Sequence, residues 1–523
     1  MILGTRIRDH ATSDNPLRRM TLDDLFRRTA KRRGDALALV DPPDRATFTD
    51  GAPKRLTYAE ADRIVSAIAA RLNDLGLRAD AIVALQLPNT VESVLTLLGV
   101  LRAGMIAVPL PLLWRELDAP HALGRIGARA LITSRRIGPV DHGELAMHIA
   151  ANVFTIRFLC AFGQKGLDGV VSFEDLFDPP YGDIPTVTVE REGDPADHVA
   201  VVTFDITPEG LVPVARTHAE LLAGGLAVVL EGRLARESSL LGVLALSSFA
   251  GLASTVVPWV LGGGTLSLHQ PFDPGTFAVQ CGSYHYDAAV LPGALVARLA
   301  DAGQIGGRLG PKTILSVWRA PERMSGSPEW RSDAALVDVL AFGENGLVAL
   351  RRAANGKPLA ITPGPVAAGR SPGEASMVLV DIVRSPAGTL ALGGAMIPHH
   401  PFPPGVERSG APRLKLGDDG LLDTGYPCRL DKATGNLTLD GPPAGVISVG
   451  GYRFVLKDLQ DFVSQTAEGS TLAALPDGLS GHRLAGVASD RAAIRRLLAE
   501  QGANPLVVSA FRERRSDQAN AAA

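Results

Sequence analysis

The sequence predicts an α/β protein. A large N-terminal domain of mixed sheets layered with helices carries a small β subdomain, and a small α+β domain follows it. Three observations predict this. Short apolar runs alternate with helical patterns over roughly the first 350 residues, as parallel sheets covered by helices require. From about 376 to 440 the pattern becomes "SMVLVDIV", "GTLALGG" and "GNLTLDG", short strand-like runs parted by Gly, Pro and Asp. The length, 523 residues, exceeds what one core holds and suits a large domain with smaller units.

The elements follow in order. Thr57 and Glu60 in "TYAE" form a capping-box pattern that opens a helix. Ile64, Ile68, Leu72 and Leu75 recur at helical spacing, and Gly76 ends the run. "AIVALQL" (81–87) reads as a buried strand, "TVESVLTLLGVLRAG" as the next helix, and "MIAVPL" and "ARALITS" (128–134) as further strands. "HVAVV" (198–202) is another strand. The stretch "TFDITPEGLVPVARTH" (203–218) reads as a turn leading into the apolar helix "AELLAGGLAVVL". From Ser238 to Leu268 there is no charge, a length that could span a bilayer. Pro258, Gly262–Gly264 and several serines favour a buried strand, helix and strand instead, so no membrane span is expected. "GPPAG" (441–445) reads as a hinge. The predicted units are thus 1–440 (β subdomain about 376–440), the hinge 441–445, a small domain 446–510, and a polar tail, 511–523, expected to be disordered.

Bulk properties narrow the function. Hydrophobic residues make up 46% and charged ones 20%, with a net charge of −3, as for a globular protein with a large core. No basic block points to nucleic acid and no acidic block to a solvating tail. Cys160, Cys281 and Cys428 are odd in number and far apart, so neither a metal cluster nor a disulfide framework is expected. A reducing, cytoplasmic setting follows. The N-terminal residues lack the sustained apolar core of a secretory signal.

Ordered landmarks then carry a resemblance over nearly the whole chain. "LTYAEADRIVSAIAARLNDLGLRADAIVALQLPNTVESVLTLLGVLRAGMIAVPL" (56–110), "LSSFAGL", "GGGTLSL", "FDP" (272–274), "DDGLLDTGYPCRLDKATGNLTLDG" and "VISVGGYRF" resemble, in sequence order, the adenylate-forming superfamily of acyl- and aryl-CoA synthetases, peptide-synthetase adenylation domains and luciferases. The resemblance implies that a carboxylate attacks the α-phosphate of ATP. An acyl-adenylate forms, and a thiol, often coenzyme A, then takes the acyl group while the small domain swings. It implies ATP and Mg as cofactors, and a small carboxylic acid or acyl group as ligand. A partner enzyme or a second copy of the chain stays open as a further partner.

Each implied site can be compared with the residues present. The 203–218 stretch falls where the family has a Thr/Ser/Gly-rich loop with a lysine. Thr203, Thr207 and Thr217–His218 match. Asp205 adds a negative charge, Pro208 has no N–H to give, and no lysine lies between Thr203 and His218. Two readings stand, a residual phosphate grip or a turn inherited from one. In "SVWRAPE", Ala320–Pro321 matches a Gly/Ala-Pro stretch along adenine and the acyl pocket, with bulkier Trp318 and Arg319 before it. In "AFGENG", Phe342 and Gly343 match an aromatic-Gly-x-Thr-Glu motif. Asn345 stands at the Thr position and Gly346 at the metal-binding Glu. Glu344, two residues displaced, is the candidate Mg ligand. In "DTGYPCR", Tyr426 stands where an Asp would hold ribose, and Arg429 matches a nucleotide arginine that could equally be a structural ion-pair residue. Ser248, with Phe249 and Gly251, falls beside the implied acyl tunnel. Gly450 and Gly451 match a strand near the thiol substrate. The family's late lysine has no counterpart, because no Lys follows Ala467, so no catalytic residue is assigned.

Five family features are absent together: loop glycines, loop lysine, metal acid, ribose acid and late lysine. The sequence therefore supports a divergent acid–thiol ligase with impaired adenylation. The alternative is a non-catalytic relative that binds an acyl group or a partner enzyme.

Overall fold

The computed structural model describes residues 19–163, 166–178, 183–189, 191–305, 307, 310–368 and 376–512. Residues 513–523, most of the predicted tail, lie outside the described residues. Phe511, assigned to that tail, is instead fully buried in the core of the small domain with Val463, Leu472, Ile494 and Leu498.

Two large sheets form the body of the chain. One has eight strands in the order 346–351, 335–342, 313–318, 288–292, 240–242, 266–268, 37–40, 55–57. The other has seven, in the order 210–217, 199–207, 106–109, 82–86, 130–134, 158–162, 171–172. Pairing is parallel within each sheet. Antiparallel strands close both edges of the first (55–57 and 346–351) and one edge of the second (210–217).

The helices between the sheets explain the apolar sequence patterns. Tyr58–Asp74 begins at the capping box of Thr57 and Glu60, and both reciprocal bonds are formed. It packs against Val91–Arg102 and buries Ile64, Val65 and Ile68. A Cβ at Gly99 would meet the Ile68 side chain, so glycine permits the close crossing. The charge-free stretch forms strand Leu240–Gly242, helices Phe249–Ser254 and Val256–Gly262, and strand Leu266–Leu268. Both helices pack on His218–Gly232, where Gly224 and Gly225 leave room for Phe249 and Val257. A helix apolar all round is one buried on all sides. Among the described residues no helix is long and apolar enough to cross a membrane. All three cysteines are buried and free.

The region expected to be antiparallel is a five-stranded sheet: Gly364–Ala368, Met377–Arg384, Thr389–Gly393, Leu422–Leu430 and Leu437–Leu439. Past 445 a four-stranded antiparallel sheet, in the order 452–455, 446–449, 481–487, 471–477, packs with helices Leu456–Thr466, Arg491–Glu500 and Pro505–Ser509. This small domain docks on the large one through its hairpin 446–455, beside strand Val199–Thr207.

One element departs from the sequence reading. Residues 203–217 are not an open turn. Strand Val199–Thr207 pairs with Gly210–Thr217 all the way to Thr207 opposite Gly210, which leaves only Pro208–Glu209 between them. Thr203, Ile206, Val212 and Val214 supply the β-branched side chains that favour a ladder. Gly210, at φ +114°, takes the conformation that the tight return requires. Helix His218–Gly232 then starts at a capping box of Thr217 and Glu220.

Candidate functional site

The hairpin 199–217, the turn 343–345 and the small domain's hairpin 446–455 converge on one point. Asp205, 3% exposed, makes an ion pair with Arg453, 6% exposed, across the interface of the two domains. The same Asp205 oxygen accepts the Ile206 N–H at 2.8 Å, and its other oxygen accepts the Glu344 N–H at 3.1 Å. Gly343, at φ +60°, brings the backbone against this pair, where a Cβ would run into both Asp205 and Arg453. Arg453 reaches this place because Gly450 and Gly451, both at positive φ, form the two-residue tip between strands 446–449 and 452–455.

Glu344 is the second buried carboxylate. One oxygen accepts the Phe249 N–H at 2.6 Å, and the other accepts from Arg319 at 3.1 Å. Burial pushes its carboxyl above the usual range, against the pull of Arg319. Arg216 is enclosed nearby. It donates to the Asn345 carbonyl at 2.8 Å and lies 3.7 Å over the Phe249 ring. Burial lowers its pKa to about 10. Its Nε and Nη1 find no partner among the described residues. Burial opposes the charge of Arg453, yet Asp205, Tyr426 and Glu344 together hold its pKa above the ordinary value. Buried charges persist only with such partners.

Beside this cluster lies a cavity of about 420 Å³, within the range of small-molecule sites. Phe204, Trp114, Leu244, Phe272 and Trp318 give it apolar walls, and Asp205, Arg319, Arg323 and Arg453 are among its polar lining. Phe204 packs on Trp114 at 5.3 Å. Gly450, Gly451 and Tyr452 close it from the small domain. Arg323 fastens that domain by donating to the carbonyls of Asp477 at 2.9 Å and Gly478 at 2.8 Å.

The residues named from sequence divide by position. Asp205, Arg319, Ala320, Ser248, Trp318, Gly450 and Gly451 line the cavity. Ser248 also caps helix 249–254 through the Gly251 N–H. Gly251 and Phe249 are buried behind that wall, and Pro321 is buried at the start of a short 3₁₀ turn. Gly343, Glu344 and Asn345 form the turn of the ion cluster. Gly346 packs against the Ile397 and Leu392 side chains, an apolar place. Tyr426 lies buried under Arg453, edge-on to Phe342 at 5.4 Å, and burial pushes its phenol up to about 12. Thr203 is buried, and its hydroxyl has no partner among the described residues. Thr207 donates across the hairpin turn to the Gly210 carbonyl at 3.1 Å. Arg429 is 76% exposed and pairs with Asp440 at 2.7 Å, the structural alternative left open by its sequence.

Sequence reasoning missed Arg453 and Arg216. Arg453 carried one signal: a Gly-Gly pair between two apolar runs marks a hairpin tip, which places the flanking side chains together. Arg216 carried none, since its partner lies 129 residues away.

The residues present do not fit a nucleoside triphosphate with its metal. Residues 203–207 are extended, so their N–H groups cannot curl around an anion. Both oxygens of Asp205 and of Glu344 already accept from protein donors, and Arg319 and Arg453 are engaged by those carboxylates.

Comparison with known proteins agrees with the fold. Residues 26–174 match the family described as AMP-binding enzyme. A salicyl-AMP ligase / salicyl-S-ArCP synthetase of Mycobacterium tuberculosis is 31% identical over 146 residues, 28% of this chain and 25% of that one. A feruloyl-CoA synthase of Amycolatopsis is 29% identical over 223 residues, 42% of this chain and 40% of that one. In both, the match spans less than half of the relative's own length. The solved structure of the amide bond synthetase McbA from Marinactinospora thermotolerans superposes over 93% of this chain and 94% of its own, with TM-score 0.68 and 17% identity. At that identity the likeness is one of fold.

Proposed function

We propose, for a chain that belongs to the adenylate-forming superfamily, that it binds a small carboxylic acid in the cavity beside Trp318, and that its adenylation step is impaired. The Asp205–Arg453 ion pair carries the reading. It fills the place implied for a triphosphate with a buried pair and ties the small domain to that spot. The cavity supports the acid: apolar walls suit an acyl or aryl body, and Arg319, which gives Glu344 only its Nη2, keeps further donors for a carboxylate. Bidentate arginine contacts hold a carboxylate without a nucleotide.

A second reading, a working acid–thiol ligase using ATP, Mg and coenzyme A, has one observation in its favour. Gly450 and Gly451 border the cavity from the small domain, the side implied for the thiol. That reading requires Arg453 to leave Asp205 before each nucleotide binds.

A pyrophosphate-exchange assay across fatty and aromatic acids tests the choice. The expected result is no exchange above background, no melting shift with ATP–Mg, and a shift with at least one acid. Robust exchange with any acid would sink the impaired-adenylation reading. A folded protein that no acid stabilises would sink the acid-binding one.

A further inference from the structure

Next to the acid cavity lies a second one of about 480 Å³, lined by apolar Trp330 and Leu336 and by charged Asp301, Glu329, Asp333 and Arg352. Two residues line both cavities, Gly293 and Trp318. We propose that the Trp318 indole is a fixed partition that limits this protein to compact acids, those with a single ring or a short chain. A longer chain would have to pass the indole into that more polar chamber. The inference rests on the acid-binding reading above and adds the size class of the ligand and the residue that sets it.

The indole is held from two sides. Its Nε1–H donates to Asp338 Oδ1 at 2.8 Å, inside the protein. Asp338 stands on strand 335–342, in register with Ser316 of the neighbouring strand, two residues before Trp318. Two residues along a strand share a face, so carboxylate and indole meet on the same side of the sheet. Asp338 is in turn fixed by Arg352 Nε at 2.7 Å. Arg352 is anchored further by the Pro328 carbonyl at 2.8 Å, the Gly356 carbonyl at 3.1 Å and the Ser327 hydroxyl at 2.6 Å. From the other side, a Cβ at Gly293 would collide with the indole ring. Glycine at the start of helix 293–301 lets the ring lie against the helix. Swinging the indole aside would break its bond to Asp338 and leave that carboxylate to Arg352 alone, so the ring acts as a wall and not as a gate. Arg319 follows Trp318 directly and pairs with Glu344, so the indole and a guanidinium line the same cavity.

The test is calorimetric titration of the full chain with benzoate and with saturated acids from hexanoate to tetradecanoate. The wild type, Trp318→Ala and the milder Trp318→Leu are compared, with circular dichroism as the check on folding. For the wild type, benzoate and hexanoate should bind, and affinity should fall by about tenfold or more past a chain-length ceiling, since small misfits in an apolar pocket carry such ratios. Both variants should move that ceiling upward, gain about tenfold or more for tetradecanoate, and weaken for benzoate. A wild type that binds tetradecanoate as tightly as hexanoate overturns the partition without any variant. Folded variants that keep the wild-type ceiling overturn it too, while leaving acid binding intact. If a folded wild type binds none of the acids, the acid-binding reading itself fails, and the partition with it.

Discussion

Replacing Arg453 with methionine should cost about 3–5 kcal/mol of folding free energy, the usual loss when one member of a buried ion pair is removed. The structure sets that magnitude. Both side chains are under a tenth exposed, so the roughly 0–1 kcal/mol typical of surface pairs does not apply. Asp205 would keep the N–H groups of Ile206 and Glu344, which places the cost nearer the lower end. Arg453→Met should also loosen the small domain, because the lost contact crosses the interface while the Arg323 contacts remain. Asp205→Asn alone should be similarly harmful, since it leaves the guanidinium buried without its carboxylate. The double variant should recover at least about 2 kcal/mol of the summed losses, as replacing both members of a buried pair is often near neutral. Urea unfolding of all four proteins at pH 7 measures the coupling, and limited proteolysis between the domains reports docking. Single losses that add within about 0.5 kcal/mol, with unchanged proteolysis, would refute the buried-latch argument.

Two further outcomes follow from named positions. Gly343→Ala should destabilise by about 1–3 kcal/mol and loosen the small domain to the same protease, because the added Cβ meets both Asp205 and Arg453 at positive φ. Burial raises Asp118 to about 6 from 3.8. Between those values the folded state holds a proton that the unfolded state lacks, so stability is lost as pH rises through that window. Asp118→Asn should therefore stabilise the protein by up to about 3 kcal/mol at pH 7 and by little below about pH 4. Its side chain makes no helix-cap bond to lose. Denaturant midpoints at both pH values check this.

The fold was legible where periodicity and capping speak locally. Thr57 with Glu60, the apolar spacing of Ile64 and Ile68, and Pro258 in the charge-free stretch all led to the right element. The site was legible only in part. Trp318, Arg319 and Ser248 could be placed at the cavity through their neighbours in sequence. The hairpin at 203–217 was not foreseen, because Asp205, Pro208 and Glu209 read as turn residues while the β-branched residues around them extend a ladder that only pairing reveals. The Asp205–Arg453 pair spans 248 residues, and the Trp318–Asp338 bond depends on strand register. Neither leaves a local mark. Arg429 matched by position and yet faces solvent, in register with Thr438 and paired with Asp440, because its role depends on which face of strand 422–430 is covered.

The closed hairpin at 199–217 also bears on how the chain could change. A missing lysine or carboxylate can return by a single substitution. Residues 203–207 are different, because their conformation is set by partners 210–214. Opening a loop there requires extra residues or a broken ladder, not a new side chain. Changes of one residue at a time would each lose strand pairing before any nucleotide contact was gained, so the hairpin works as a ratchet. Variation that keeps this protein folded is therefore freer at the walls of the cavity than along residues 203–207.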